Sequence, residues 1–159
     1  MQKPFSAHRL LTLAALLAAL PAAAAPNNIT DLGTLKSDNS GSSSANAANS
    51  DGSVVGGGAA NDNGERHATI WSGSNWSTKT DLGTLKTDNS GHSSATALSG
   101  DGLVVGGWAS NDNGEQRGII WSGSNWTTKT ALGTLKADNS GGATVYALSR
   151  DGSVVVGGA

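Results

Sequence analysis

From residue 26 onward the apolar positions come in short runs, separated by clusters of Asp, Asn, Ser and Gly. Residues 80–130 show the pattern. Residues 80–85, Thr-Asp-Leu-Gly-Thr-Leu, form a strand-like run. Residues 86–93 are a loop of residues that favour turns. Residues 94–99 alternate small and apolar side chains, which predicts a strand. Asp101-Gly102 then predicts a tight hairpin with a type I′ turn, both central residues at positive φ. Residues 103–108, centred on Val104 and Val105, are the next strand. Asn111-Asp112-Asn113-Gly114 is a turn, and residues 116–121 are a fourth strand. Residues 122–125 turn back, and residues 126–130 lead onward. No stretch after residue 25 combines helical periodicity with caps, so the mature chain is predicted to be all-β.

The same pattern occurs before and after. Thr-Asp-Leu-Gly-Thr-Leu at residue 80 has counterparts at residues 30 and 130. Residues 31–80 and 81–130 agree at roughly 36 of 50 positions, and residues 131–159 begin a third copy. Units of this kind stack into one body, because one unit cannot bury its apolar face alone. Four short antiparallel strands in about 50 residues is the size of a propeller blade, so a partial β-propeller-like arc is expected. The third copy stops in its third strand. That leads to the expectation of a truncated gene product whose open strand edges promote self-association. Double glycines, Gly56-Gly57, Gly106-Gly107 and Gly157-Gly158, sit at the ends of the Val-Val strands. They admit a bulge or close backbone approach, or a simple strand exit.

The N-terminus follows a different rule. Lys3 and Arg9 precede an almost pure Leu/Ala run over residues 10–20, then Pro21 and four alanines. This order is that of a secretory signal helix, residues 1–24, cut after Ala24, with residues 25–159 as the repeat region. The apolar run is too short for the ~20 residues needed to span a bilayer. No stable membrane span is expected in the mature chain. General secretion to the cell surface or beyond is the predicted route.

Composition narrows the function. The 159 residues include 23 glycines and no cysteine, and 14% are charged. The usual charged share is ~25%. The regular placing of Val, Leu, Ile and Trp separates this chain from a disordered one of similar composition. There is no basic patch, so no nucleic-acid partner is expected. Without cysteine there is no disulfide framework, thiolate metal site or lipid-anchored cysteine.

Taken in order, Asp-Leu-Gly-Thr-Leu, a Ser/Ala-rich run, Asp-Gly-x-Val-Val-Gly-Gly and an apolar-Trp pair resemble the HAF-type extracellular repeat. The version is that of passenger regions of bacterial autotransporters. The resemblance covers residues 30–159. His67-Ala68-Thr69 keeps two residues of the name-giving triplet, and Arg117-Gly118-Ile119 keeps none. The resemblance implies cell-surface or secreted placement and no reaction. No segment here has the strands of a translocating barrel.

Trp71 and Trp76 flank residues 72–75, as Trp121 and Trp126 flank residues 122–125. Facing one another across a hairpin, such pairs contribute roughly 0.2–1 kcal/mol, and a structural role is favoured over a sugar-stacking one. Trp108 replaces Gly58 in one copy only, so it is the candidate contact residue. The Asp-Asn loops at residues 38, 62, 88 and 112 offer oxygens, but their spacing fits Asx turns better than a calcium loop. His67 and His92 do not recur and compose no catalytic set. No catalytic, cofactor or metal residue is expected. The predicted function is a binding or adhesion module for host glycans or extracellular proteins, with a purely structural surface spacer as the alternative.

Overall fold

Within each sheet, short turns pair every strand with the one that follows it. A computed structural model describes residues 29–159, and the expected leader with its cut at Ala24 lies outside the described residues. Strands β1 (Ser43–Ala48), β2 (Val55–Ala60), β3 (Arg66–Ser72) and β4 (Thr78–Gly83) form one antiparallel sheet in that order. Strands β5 (Ser93–Leu98), β6 (Val105–Ser110), β7 (Gln116–Ser122) and β8 (Thr128–Ala131) form a second. Strands β9 (Thr144–Leu148) and β10 (Val155–Gly158) form a pair. The fold is all-β, as the pattern predicts. The two larger sheets share their register: Val55 faces Trp71 in one, and Val105 faces Trp121 in the other. Among the described residues, no helix is long and apolar enough to cross a membrane.

Three local readings change. First, the run at residues 80–83 does not open a sheet. It is the end of β4, paired with Ala68, Thr69 and Ile70 of the preceding sheet. The short turn after β3 brings it there, and closing a short loop costs little entropy. Second, the Asp-Gly turn is not type I′. Gly102 has φ of 76°, and Asp101 is not among the positive-φ residues. The Gly102 amide donates to the Ser99 carbonyl at 3.0 Å, and the Leu103 amide to the Asp101 carboxylate at 3.0 Å. The result is a longer loop with its only left-handed residue at the glycine. Third, Trp71 does not face Trp76. Its cross-strand partner is Lys79, while Trp76 lies inside the turn at φ of 53°. The indole N–H of Trp76 caps the Gly52 carbonyl at 2.9 Å, and Trp126 does the same to Gly102.

The double glycines mark a close backbone approach. A Cβ on Gly57 would lie 1.9 Å from the Ser44 carbonyl oxygen, and one on Gly107 2.1 Å from that of Ser94. Both stand opposite a β-bulge, where the register slips between Ala45 and Ala47 and between Ala95 and Ala97. The bulged strand leans onto its partner, and only glycine leaves room.

The core lies where one sheet meets the next. Strand β5 packs across β1, β2 and β3, and β9 packs across β5, β6 and β7. Ala68, Ile70, Leu82, Ala95, Val105, Ala109, Ile119 and Trp121 form the continuous buried cluster. The segment between sheets is fastened to the second sheet. The Leu85 amide donates to Ser110, and the Thr87 amide to the Asp112 carboxylate at 2.8 Å.

Candidate functional site

The densest group of chemically capable side chains forms where β3 and β4 meet. Alternation along β3 turns His67 inward, and it is 2% exposed. Its Nδ1 lies 2.9 Å from an Asp81 carboxylate oxygen on β4. Its Nε2 lies 3.4 Å from the Asn61 amide nitrogen and 3.6 Å from Glu65. A neutral ring protonated at Nδ1 donates to Asp81 and leaves Nε2 to accept from Asn61. Glu65 is engaged as well, taking the Gly91 amide at 2.6 Å. That bond holds its carboxyl below the usual range, against an opposing effect of burial.

This His–Asp pair was not legible along the chain, since its members lie on different strands. The only available signal was the pairing of residues 67–72 with 78–83. Geometrically it resembles a general base and its orienting acid. Chemically the ring is closed: Nε2 meets Asn61 and Glu65 rather than a nucleophile, and His67 is buried, although the Asp81 side chain is 37% exposed. His92 is a junction residue: its Nδ1 accepts the Arg66 amide at 3.1 Å.

The second sheet solves the same position differently. Arg117 replaces His67, and Ala131 replaces Asp81. The Arg117 guanidinium, 6% exposed, pairs with Glu115 at 2.6 Å and donates to the carbonyls of Asn139 and Gly141. It lines a crevice of about 510 Å³ with Asn111, Asn113, Asp138 and Ser140. With its two terminal nitrogens bonded to Glu115 and to two backbone carbonyls, the arginine clamps the chain that follows β8.

The Asp-Asn loops resolve into turns. Asp38 and Asp88 each accept the amide two residues on, at Ser40 and Ser90, with 2.8 and 2.9 Å. These serine donors hold both carboxyls below the usual range. Asn39 and Asn89, both at φ of 57°, accept from Thr34 and Thr84 at 2.8 Å. One carboxylate oxygen of each of Asp38 and Asp88 and the amide oxygens of Asn39 and Asn89 are therefore bonded to the protein's own donors. Among the described residues, no group of three or more His, Asp or Glu is placed to hold a metal ion. Lys129 donates to the Thr84 carbonyl at 2.7 Å. Burial lowers its pKa, partly offset by Asp81.

Trp108 lies in β6 between Ser94 and Gly118 and is half-buried. Two residues from Gly106, it shares the face that looks toward β9. Trp71 and Trp121 are both fully buried, yet only Trp121 places its indole N–H, on the Leu82 carbonyl at 3.1 Å. Among the described residues, the buried Trp71 indole nitrogen has no partner. Compared with protein-family models, curated proteins and solved structures, the chain has no match.

Proposed function

We propose that this is an exported, surface-displayed repeat module that binds rather than catalyses. Its sheets are blades of a propeller-like arc of the HAF type, from the passenger region of an autotransporter. The carrying observation is the closure of the polar side chains. Both ring nitrogens of His67 are engaged, the Arg117 guanidinium is clamped, and the Asp38 and Asp88 carboxylates are held in turns. What remains open to a partner is relief on the sheet faces, where the copies differ. Trp108, set against Gly58 in the other copy, is the strongest such difference, and a partly exposed indole suits a glycan or protein surface.

A structural spacer is the second reading. It is favoured by the loop ladder in which the Ser50 amide donates to Gly100 at 3.0 Å and the Gly100 amide to Arg150 at 2.6 Å. Such a ladder gives the array a stiff edge. A glycan and matrix-protein array probed with the exported chain and with Trp108→Gly separates the two. A binding module gives discrete hits that weaken at least about tenfold in the variant, the scale of a lost aromatic anchor. An array with no hits overturns the binding reading in favour of the spacer.

A further inference from the structure

The two junctions between sheets use one set of contacts. At the first, a Cβ on Gly56 would lie 3.4 Å from Leu98 and 3.5 Å from Ala95. At the second, a Cβ on Gly106 would lie 2.6 Å from Val145 and 3.4 Å from Leu148. Each preceding sheet thus offers a glycine, and each following sheet a leucine beside a smaller residue. A valine covers the next turn glycine in both: Val54 over Gly102 and Val104 over Gly152.

The outward faces at the two ends depart from this pattern, and their departures match. Val156 stands where the other copies have Gly56 and Gly106, and it is 55% exposed. Ala48, also exposed, stands where the later copies have Leu98 and Leu148. Glycine with leucine and valine with alanine carry the same number of side-chain carbons. A face that presents Val156 rejects a sheet built like the third, because even a methyl at Gly106 collides with Val145. It crowds one built like the second, where a Cβ at Gly56 already touches Leu98 at 3.4 Å and the further methyls of valine have no room. It accepts a sheet built like the first, where the leucine is cut back to alanine.

We propose that the β9–β10 face of one molecule docks on the β1 face of a second copy, head to tail. Val156 then packs on the partner's Ala45 and Ala48. Val154, exposed at the end, takes the part of Val54 and Val104 and covers the partner's Gly52, which has open space above it. The Arg150 amide extends the loop ladder to the partner's Ser50 carbonyl. Tyr146 leans toward Gly158 on the same face. The contact is between sheet faces, not strand edges. Because it joins two different surfaces, it builds a ring if the rotation closes and an open filament if it does not.

The test is a volume swap, read by light scattering and sedimentation across a concentration series. The full chain is expressed with export, so that leader processing is common to all variants. Wild type associates with concentration. Ala48→Leu and Val156→Gly each weaken association by about tenfold or more, one by overfilling and one by leaving a gap. Combining them rebuilds the glycine–leucine contact and restores association. Circular dichroism and melting remain close to wild type in all, because both positions are exposed in the monomer. A wild-type monomer at every concentration overturns the proposal. So does a double variant that stays as weak as the single ones, or association unchanged by Val156→Arg.

Discussion

Val105 and Val155 hold the same position in β6 and β10, and they meet opposite fates. The first is fully buried, and the second is 39% exposed. Their hairpin partners, Leu98 and Leu148, are equivalent, so the difference does not come from within the hairpin. It comes from the indole and sheet around Val105: Trp121 opposite it on β7, and the first sheet behind β5. A strand pair can therefore be correctly folded while its apolar residues gain nothing from burial. In this chain the stabilising unit is the junction, which agrees with the nearest-neighbour behaviour of repeat arrays.

The sharpest way to break that comparison is to empty the well-buried side. Trp121→Ala removes a fully buried indole and its bond to Leu82, with an expected loss of about 3–5 kcal/mol in denaturant melts. A loss below about 1 kcal/mol would place the stabilisation elsewhere. Next comes the bulge. Gly107→Ala drives a methyl into the Ser94 carbonyl and is expected to cost at least about 1–3 kcal/mol, whereas Gly56→Ala meets ordinary contacts and costs less. Equal melting temperatures for the two variants would contradict the close-approach account.

Smaller effects compare the first two sheets. Trp121→Phe strands the Leu82 carbonyl, at about 1–3 kcal/mol. Trp71→Phe deletes a donor that has no partner among the described residues, so it loses only packing. The difference between the two variants isolates the indole bond. Ser99→Ala exposes the same logic in a loop: the Ser99 hydroxyl accepts the Val104 amide at 2.9 Å. Alanine costs about 1 kcal/mol, while Ser99→Asn is within about 0.5 kcal/mol, because Asn49 makes that bond in the first copy.

The mildest effect is on pH. Hydrogen bonds from the Ser149 hydroxyl and from the Ser153 amide and hydroxyl pull Asp151 from its ordinary 3.8 down to about 2. Asp101, Asp88 and Asp38 are lowered by similar serine and backbone donors. A carboxyl lowered by folding stabilises the fold fully above its ordinary value, and this is lost as pH falls through the folded value. Stability should be flat near neutrality and decline from about pH 4 toward pH 2, with a shallower decline in Asp151→Asn. Melts across that range provide the check.

Much of the fold was legible because local signals agreed. Turn residues bounded every strand, alternation in residues 94–99 matched β5, and the run at residues 116–121 matched β7. What was misread had a common origin: it depended on which strands become partners. Residues 80–83 look like a beginning in the sequence, yet they pair backward with β3. Trp76 looks like a strand residue and is a turn residue, since the left-handed Asn75 and Trp76 have no signature in hydropathy. His67 and Asp81 are 14 positions apart and meet only because β3 and β4 do. Trp108 was picked out by its failure to recur. The structure adds the face it occupies, which no one-dimensional pattern specifies.

The offset between sequence copy and sheet has a genetic consequence. Asp81 and Gly83 finish β4, and Ala131 finishes β8, yet all three belong to the copy that comes next. Recombination that inserts one more copy at this boundary would therefore complete the outer strand of an existing sheet in the same event that starts a new one. An array lengthened in this way never carries a defective sheet in its interior.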